Sequence, residues 1–426
     1  MVAKGGSVTH FDRRSFLART GAALATAGLA GRFADLEQLA LGAEPAAGLS
    51  WASVRREFRH DPRLVQLGGL YLASHPAPVR RAIERHRRGL DANPVGYLHA
   101  HGADLEAGVL RAAAGYLGAR GVDIALTDST TMGLGLLFNG LALGPGDEVL
   151  TTTHDFFATH RALEFKAARS GATVRRVRLY DRSRDASADA IVAALADAVG
   201  PRTRVVAITW VHSSTGVKLP VRRIADALRR GDRPPLLVVD GVHGVGAENA
   251  TVGALECDFL VSGCHKWLHG PRGTGLVWGK PAAWERVVPT IPSFSGEGTP
   301  GAAMTPGGFH SFEHRWALAE AFRFHGRIGK RRVATRIHAL AGRLKAGLAG
   351  MGHVTLHTPV AEGLSAGIVC FSVDRLSPDA VVAALARRRI VVTVTPYSPP
   401  YARLAPAIFN TPAEIDRALA AVRALR

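Results

Sequence analysis

Short runs of apolar and β-branched residues alternate with helix-length segments through the middle of the chain. Seven of these runs predict strands, at residues 122–127, 148–153, 173–179, 204–210, 236–240, 259–262 and 274–278. Several runs are apolar almost throughout and do not alternate with polar residues, which is typical of parallel strands covered on both faces. The pattern therefore predicts an α/β fold with a mainly parallel seven-stranded sheet and helices on both faces.

The last third of the chain has a different pattern. A loop rich in proline, glycine and serine, at residues 289–308, is followed by a long helical pattern over residues 313–349. A final helix is expected over residues 412–425, because Thr411 has the position of a side-chain cap and Glu414 follows three residues later. We expect a smaller α+β C-terminal domain at residues 313–426, after an N-terminal arm and a large domain at residues 44–312.

The first residues carry the pattern of an export signal. Arg13 and Arg14 precede small apolar residues at positions 21–31, a stretch that ends at Arg32 and is too short to cross a bilayer. Twin arginines before such a stretch are typical of the twin-arginine export route. We expect residues 1–43 to be a signal peptide that engages the twin-arginine translocase, and the product to be periplasmic or extracellular. Since no later run reaches 18 apolar residues, no stable membrane span is expected.

The amino-acid composition argues against several classes of function. The 426 residues include 53 Lys and Arg against 35 Asp and Glu, a formal net charge of +18. The basic residues are scattered and no strand carries the interleaved aromatic residues of an RNA-binding sheet, so no nucleic-acid partner is expected. The 3 cysteines form no C-x-x-C pair, which excludes a zinc ribbon and a disulfide framework. Residues 310–314 match an H-x-x-E-H pattern, but no third ligand is marked and no metal site is expected.

Two strand ends carry residues with complementary chemistry. The run at residues 236–240 ends in Asp240, and the next predicted strand leads to Lys266. Pyridoxal phosphate (PLP) needs an amine for its aldehyde and an anion beside its ring nitrogen, so this carboxylate and lysine suit that cofactor. Ser129 and Thr130 follow the first strand and begin an apolar helix, where free N–H groups and hydroxyls can hold a phosphate. Each feature alone is also typical of a structural role, such as a helix cap.

Together these residues resemble the class V aminotransferase family of fold-type I PLP enzymes, which includes cysteine desulfurases and isopenicillin N epimerase. The resemblance covers residues 64–425. It implies that Lys266 carries the cofactor and that Asp240 contacts the pyridine nitrogen. For the rest of the cofactor it implies His243 and Ser213 near the phenolic oxygen, Ser129, Thr130 and His265 at the phosphate, and His154 stacked on the ring.

The resemblance also implies how the substrate and the subunits are arranged. Arg403 matches the arginine of the family that binds the substrate α-carboxylate. A guanidinium group suits that role because it can donate two parallel hydrogen bonds to a carboxylate. Thr305 resembles part of a loop that reaches the phosphate of the neighbouring protomer, so a homodimer with shared active sites is expected. Asn93 and Tyr71 are further candidates for the substrate pocket, and both are also common structural residues.

Two departures from the family pattern bear on the reaction. Gly263 stands where the family has a phosphate-binding serine, and Ser262 lies one residue further from the lysine. Residues 391–401, where desulfurases carry a nucleophilic cysteine, contain none, so ordinary cysteine desulfuration is not expected. We expect a PLP-dependent enzyme that acts at the α carbon of an amino acid or an amino-acid-derived metabolite, by epimerisation or transamination. A PLP-dependent carbon–sulfur lyase, and a non-catalytic basic binding protein on the same fold, stay open as alternatives.

Overall fold

The computed structural model describes residues 49–231 and 233–425, so the predicted signal peptide at residues 1–43 lies outside the described residues. The helices are α1 (Trp51–Arg56), α2 (Ala77–Ala92), α3 (Pro94–Leu117), α4 (Thr130–Gly140), α5 (Phe157–Ser170), α6 (Ala188–Ala198), α7 (Val221–Leu228), α8 (Val252–Leu255), α9 (Pro281–Trp284), α10 (Pro300–Met304), α11 (Phe312–Ile328), α12 (Lys330–Ala349), α13 (Pro378–Arg387) and α14 (Pro412–Arg423). The strands are β1 (Val65–Gln66), β2 (Ile124–Thr127), β3 (Glu148–Thr152), β4 (Thr173–Val177), β5 (Thr203–Thr209), β6 (Leu236–Asp240), β7 (Phe259–Gly263), β8 (Gly275–Gly279), β9 (Val354–Leu356), β10 (Val369–Val373), β11 (Ile390–Val391), β12 (Thr393–Val394) and β13 (Ala402–Leu404).

Seven strands form the central sheet, in the order β2-β8-β7-β6-β5-β3-β4. The strands from β7 to β4 are parallel to their neighbours, and β8 runs antiparallel to both β2 and β7. Each of the seven strands overlaps a predicted run, with ends that differ by at most two residues. The predicted mainly parallel sheet is therefore confirmed.

The central sheet is covered on both faces. Alternate residues of β5 belong to two separate cores: Val205 and Ala207 to one, Val206 and Ile208 to the other. Helix α4 packs in the first core, and α6, α7 and α11 pack in the second. Successive side chains of a strand point to opposite faces, so burial of both faces explains why these strands are apolar almost throughout.

A second, smaller sheet lies in the C-terminal part of the chain. Its strands are antiparallel in the order β12-β13-β10-β9, and its core includes α12, α13 and α14. Val65 and Leu67 join this core, because β1 pairs with β11. Helix α11, in contrast, packs in the larger core. Residues near the start of the described chain thus belong to the smaller unit, although they precede the larger unit in the sequence. The domain boundaries at residues 44–312 and 313–426 stay a prediction.

The helical pattern at residues 313–349 is divided into two helices. Helix α11 ends at Ile328 and α12 begins at Lys330, with Gly329 between them at a φ of 93°. Glycine adopts a positive φ at little cost, so Gly329 can end one helix and start the next. Sequence analysis missed this break because the apolar spacing continues across it.

The predicted C-terminal helix is confirmed, although it ends at Arg423. Thr411 and Glu414 form a capping box at its start. Arg55 of α1 donates two hydrogen bonds to Glu414, at 2.7 and 2.9 Å, and so ties α14 to the first described helix. Among the residues that the structure describes, no helix has the length and hydropathy needed to cross a membrane.

Candidate active site

A cavity of about 130 Å³ lies at the carboxyl ends of the central parallel strands, beside the start of α4. This edge is where parallel α/β sheets commonly bind ligands. The cavity brings together seven of the predicted site residues, namely Ser129, Thr130, Ser213, Asp240, His243, His265 and Lys266. The other lining residues are Thr131, Leu134, Phe156, Ala158, Thr209 and Val242.

The amine of Lys266 lies beside a neutral imidazole. Burial lowers the pKa of Lys266 to about 8, while Asp240 opposes the shift and Arg403 adds to it. Lys266 Nζ is 3.2 Å from His243 Nε2, and burial holds the pKa of His243 well below its ordinary value. The Trp267 indole donates to His243 Nδ1 at 3.2 Å. Since an indole can only donate, the proton of the neutral ring is on Nε2 and is donated to Lys266, which favours the neutral, reactive amine.

Asp240 ends β6 in the cavity wall. Its Oδ1 accepts a hydrogen bond from Val242 N at 3.0 Å. Burial raises the pKa of the carboxyl to about 6, against the lowering effects of that hydrogen bond and of Lys266. A buried carboxylate with so few partners is costly, so the site suits a cationic N–H group placed beside it. A protonated pyridine nitrogen is such a group.

The start of α4 forms a cradle for an anion. Ser129 Oγ accepts from Met132 N at 3.1 Å, and Thr130 Oγ1 accepts from Gly263 N at 2.7 Å. Neither hydroxyl proton is used in a hydrogen bond to another described residue. Together with the free N–H groups of the helix start and the nearby His265 ring, these hydroxyls can hold a phosphate.

The cradle also explains the glycine at position 263. A Cβ there would come within 3.1 Å of both the Thr130 hydroxyl and the His265 ring. Ser262 does not replace the serine of the family pattern, because it is fully buried and its hydroxyl donates to the Gly263 carbonyl at 3.0 Å. The cradle therefore consists of Ser129, Thr130 and His265, without a further serine.

Phe156 contributes a phenyl ring to the cavity lining, and His154 lies outside the lining. The ring of His154 stacks on Tyr180, with centroids 3.9 Å apart, and its Nε2 accepts from Leu179 N at 3.1 Å. Both the face and the acceptor nitrogen of His154 are therefore engaged elsewhere. The structure thus does not bring His154 to the cavity lining, where Phe156, two residues later, contributes its ring.

Asp155 holds this edge of the sheet together. Its Oδ2 accepts from Thr152 N and from the hydroxyls of Thr151 and Thr152 at 2.7 to 2.9 Å, and its Oδ1 accepts from Thr209 N at 2.7 Å. The carboxylate thus joins the end of β3 to the end of β5. The Thr209 hydroxyl is buried in the cavity wall without a hydrogen-bond partner among the described residues, so a polar atom is left for a ligand.

Arg403 of β13 lies behind Ser213 and is buried, and this burial lowers its pKa. Its Nη1 donates to the Ser213 carbonyl at 2.9 Å, Nε to the Thr393 hydroxyl at 2.8 Å, and Nη2 to the Val394 carbonyl at 3.3 Å. Of the five N–H groups of a guanidinium, three are thus engaged by described residues. The remaining two can bind a carboxylate.

The profile of the family described as aminotransferase class-V matches residues 73–396. This chain belongs to the aminotransferase class-V family. It is 30% identical over 397 residues to isopenicillin N epimerase of Streptomyces clavuligerus. The matched region covers 88% of this chain and 98% of that relative. A structure of C-DES with glycine covalently linked to PLP superposes with a TM-score of 0.81 at 25% identity, over 87% of this chain and 99% of C-DES. A second, a complex of this cystine C–S lyase with cysteine persulfide, gives a TM-score of 0.79 at 25% identity, over 85% of this chain and 98% of C-DES.

As a class-V enzyme the protein uses PLP, and its residues fit that cofactor. Lys266 supplies an amine of lowered pKa for the aldehyde, and Asp240 is a buried carboxyl in the cavity wall that can face a cationic N–H group. The start of α4 supplies the phosphate cradle. Thr209, whose buried hydroxyl has no hydrogen-bond partner among the described residues, lines the same cavity. Within the described ranges, no group of three His, Cys, Asp or Glu side chains could hold a metal ion.

Five predicted site residues of this class-V enzyme do not line the cavity: His154 and Arg403, described above, and Asn93, Tyr71 and Thr305. Asn93 is exposed and caps α3, its Oδ1 accepting from a backbone N–H of the first turn at 2.9 Å. Tyr71 is 70% exposed. Thr305 is buried, and its hydroxyl donates to the Gly301 carbonyl at 2.8 Å and accepts from a backbone N–H of β2 at 3.1 Å. The Thr305 hydroxyl thus both donates and accepts within its own chain, and its contact with a neighbouring protomer stays a prediction.

Sequence analysis missed four residues that shape the site: Phe156, Thr209, Trp267 and Tyr397. Trp267 directly follows Lys266, and Thr209 lies one residue before the end of the predicted strand at residues 204–210, so position alone was a usable signal for both. Tyr397 gave no such signal. Its hydroxyl lies 2.8 Å from Ser213 Oγ, although the two residues are 184 positions apart in the chain.

Proposed function

We propose that this PLP enzyme removes and returns a proton at the α carbon of an amino acid or an amino-acid-derived metabolite, by epimerisation or transamination. The observation that carries the proposal is the Lys266–His243 pair, in which burial lowers the pKa of the lysine, in a cavity bounded by Asp240 and backed by Arg403. The identity with isopenicillin N epimerase, over almost the full length of that relative, supports epimerisation.

Each residue has a definite role in this proposal. When bound, PLP supplies a conjugated ring that accepts the electron pair left at the α carbon. Lys266 Nζ takes or returns the α proton, because its lowered pKa makes the free amine available near neutral pH. Arg403 binds the α-carboxylate and so fixes the direction of the α hydrogen, and Asp240 holds the protonated ring nitrogen.

Exchange of the α hydrogen is the direct test. The PLP-loaded enzyme is incubated with single amino acids in D₂O, and deuterium at the α carbon, the opposite enantiomer and keto acid are measured by NMR and chiral chromatography. We expect exchange with the wild type and a loss of about 10⁴-fold in Lys266→Ala. Lys166→Ala is the control, because Lys166 donates to the Asn139 carbonyl away from the cavity. A wild type that exchanges no amino acid contradicts the proposal.

A carbon–sulfur lyase is the second candidate, favoured by the similarity to the cystine C–S lyase C-DES. Elimination of a β substituent begins with the same proton removal by Lys266 and needs no enzyme thiol. Cys257, Cys264 and Cys370 are buried, and burial raises the pKa of each thiol to about 12. Release of persulfide and pyruvate from L-cystine, without α-hydrogen return to the amino acid, would select the lyase.

The proposal includes export through the twin-arginine route, with residues 1–43 as the signal. Arg13 and Arg14 support it, and they lie outside the described residues. Replacing both arginines with lysine is expected to keep the protein in the cytoplasm. Unchanged export of that variant contradicts this part of the proposal.

We also propose a homodimer with shared active sites. Phe294 and Phe309 are 66% and 83% exposed, with ring centroids 6.3 Å apart, and such exposed apolar pairs are typical of association surfaces. Sedimentation of the double variant Phe294→Asp/Phe309→Asp is expected to give a monomer, whereas the control Phe165→Asp stays dimeric. A wild type of monomer mass at micromolar concentration contradicts the dimer.

A further inference from the structure

A second cavity lies between α3, α11 and the start of α12, and we call it the helix cleft. Its volume is about 380 Å³, within the range of small-molecule pockets. The lining includes Tyr116 of α3, Phe322 and Arg323 of α11, and Lys330 at the start of α12. None of the residues that line the helix cleft also lines the PLP cavity. A molecule bound in the helix cleft would therefore occupy a separate site.

Two glycines of the lining keep the helix cleft open. Gly115 lies in α3 and Gly326 in α11, and glycine is less favourable than alanine within a helix. No atom lies within 4 Å of the place that a Cβ would take at either position, so close packing does not require glycine there. Gly326 follows Phe322 by four residues, so the two share one face of α11. A larger side chain at position 326 would therefore fill the cleft beside the Phe322 ring.

Lys330 brings a positive charge to the helix cleft. Its Nζ donates to the Tyr116 carbonyl at 3.0 Å and to the Ala250 carbonyl, and it lies 4.4 Å from the centre of the Tyr116 ring. Among the described residues no carboxylate forms an ion pair with this group, and burial lowers its pKa to about 8, so it is mainly protonated at neutral pH. An ammonium has three N–H groups. Two are engaged by carbonyls, and the third can donate to an anion.

The start of α12 adds to this positive charge. Lys330, Arg331 and Arg332 occupy its first turn, which contains no acidic residue and no side-chain cap. The N-terminus of a helix has free N–H groups and a partial positive charge, so cations are unfavourable there and an anion is favourable. Arg323, the other charged residue of the lining, is paired with Glu320 at 2.7 Å. The unpaired charge of the lining is therefore that of Lys330.

We propose that the helix cleft binds an amphipathic carboxylate, with its charge at Lys330 and the start of α12 and its apolar group against Tyr116 and Phe322. The two rings pack with centroids 5.4 Å apart and form the aromatic part of the lining. One free N–H group and one unpaired charge match a monoanion, and the aromatic lining favours an apolar body. The site goes beyond the proposed reaction at Lys266 and does not depend on it.

Calorimetric titration of the PLP-loaded protein tests the proposal with three probes: 3-phenylpropionate, the neutral alcohol of the same carbon skeleton, and acetate. Lys330→Met removes the charge, whereas Gly326→Leu fills the cleft and keeps the hydrogen bonds of Lys330 to the backbone. Gly342→Leu is the matched control, because Gly342 lies in α12 outside the lining and also has no atom within 4 Å of an added Cβ. Circular dichroism checks that each variant is folded.

We expect saturable binding of 3-phenylpropionate, with a Kd that rises about tenfold or more in Lys330→Met and Gly326→Leu, roughly the effect of losing one hydrogen bond to a charged group. The Kd of Gly342→Leu should equal that of the wild type, and the alcohol and acetate should bind about tenfold more weakly or less. A wild type that does not bind 3-phenylpropionate overturns the proposal. So does a Kd in Gly326→Leu equal to that of Gly342→Leu, which places the probe at another site such as Arg403. Equal affinity for the alcohol, or an unchanged Kd in Lys330→Met, overturns the assignment of an anionic ligand.

Discussion

The two walls of the cavity are built in different ways. The sheet wall consists of residues that directly follow strands, such as Asp240 after β6 and Lys266 shortly after β7, and backbone geometry alone brings them together. What we call the C-terminal wall lies one layer behind the lining and depends on contacts across the chain. Arg403 and Tyr397 do not line the cavity themselves, and both bond to Ser213, which does and which lies 190 and 184 residues away. In the proposed function, the sheet wall holds the cofactor and the C-terminal wall holds the substrate.

The largest expected effect comes from the C-terminal wall. Arg403→Lys keeps the charge but loses the fork and the hydrogen bonds to Thr393 and Ser213. We expect KM for an amino acid to rise by about 10²-fold, because a buried charge-assisted hydrogen-bond pair is lost. The measurement is initial-rate kinetics of α-hydrogen exchange. Arg343→Lys, at an exposed pair with Asp416, is the control and should not change KM. Equal KM values in both variants would mean that Arg403 does not bind the carboxylate.

A smaller effect is expected in the sheet wall at position 263. Gly263→Ser introduces a side chain whose Cβ crowds Thr130 and His265 at 3.1 Å, so the phosphate cradle must shift. We expect the Kd for PLP to rise by about tenfold, roughly the cost of one hydrogen bond to a charged group. The control Gly135→Ser lies on α4, the helix that begins at Thr130, with no atom within 4 Å of its added Cβ. Tighter PLP binding by Gly263→Ser would show that a serine fits there after all.

The smallest effect links the two walls. Cofactor capture by the cofactor-free protein should become faster as the pH rises through about 8, where Lys266 loses its proton. Arg403 lowers the pKa of Lys266, so Arg403→Gln is expected to move the midpoint of this profile to higher pH. Rates of PLP binding followed by absorbance give both profiles. A midpoint that moves down, or does not move, would show that the walls are electrostatically independent.

The same division explains what could be predicted from the sequence. The seven strands, the C-terminal helix, and Lys266, Asp240 and the α4 cradle followed from local patterns, since strand ends of a parallel sheet share one edge. The position of a residue in the sequence did not predict its contacts where its side chain has several possible partners. His154 lies near the site but stacks on Tyr180, and the Thr305 hydroxyl is used by the backbone of its own chain. Tyr397 depends on a loop of the smaller unit meeting Ser213, which no local pattern indicates.

The assignment of Lys266 as the residue that carries PLP is the central claim, and borohydride reduction tests it most directly. The purified, PLP-loaded protein is scanned between about 300 and 500 nm, reduced, digested, and analysed by mass spectrometry for the labelled residue. The account predicts a visible absorbance band that disappears on reduction, with the label at Lys266 and no band in Lys266→Ala. A protein that stays colourless with added PLP, or a label on another lysine, would contradict it.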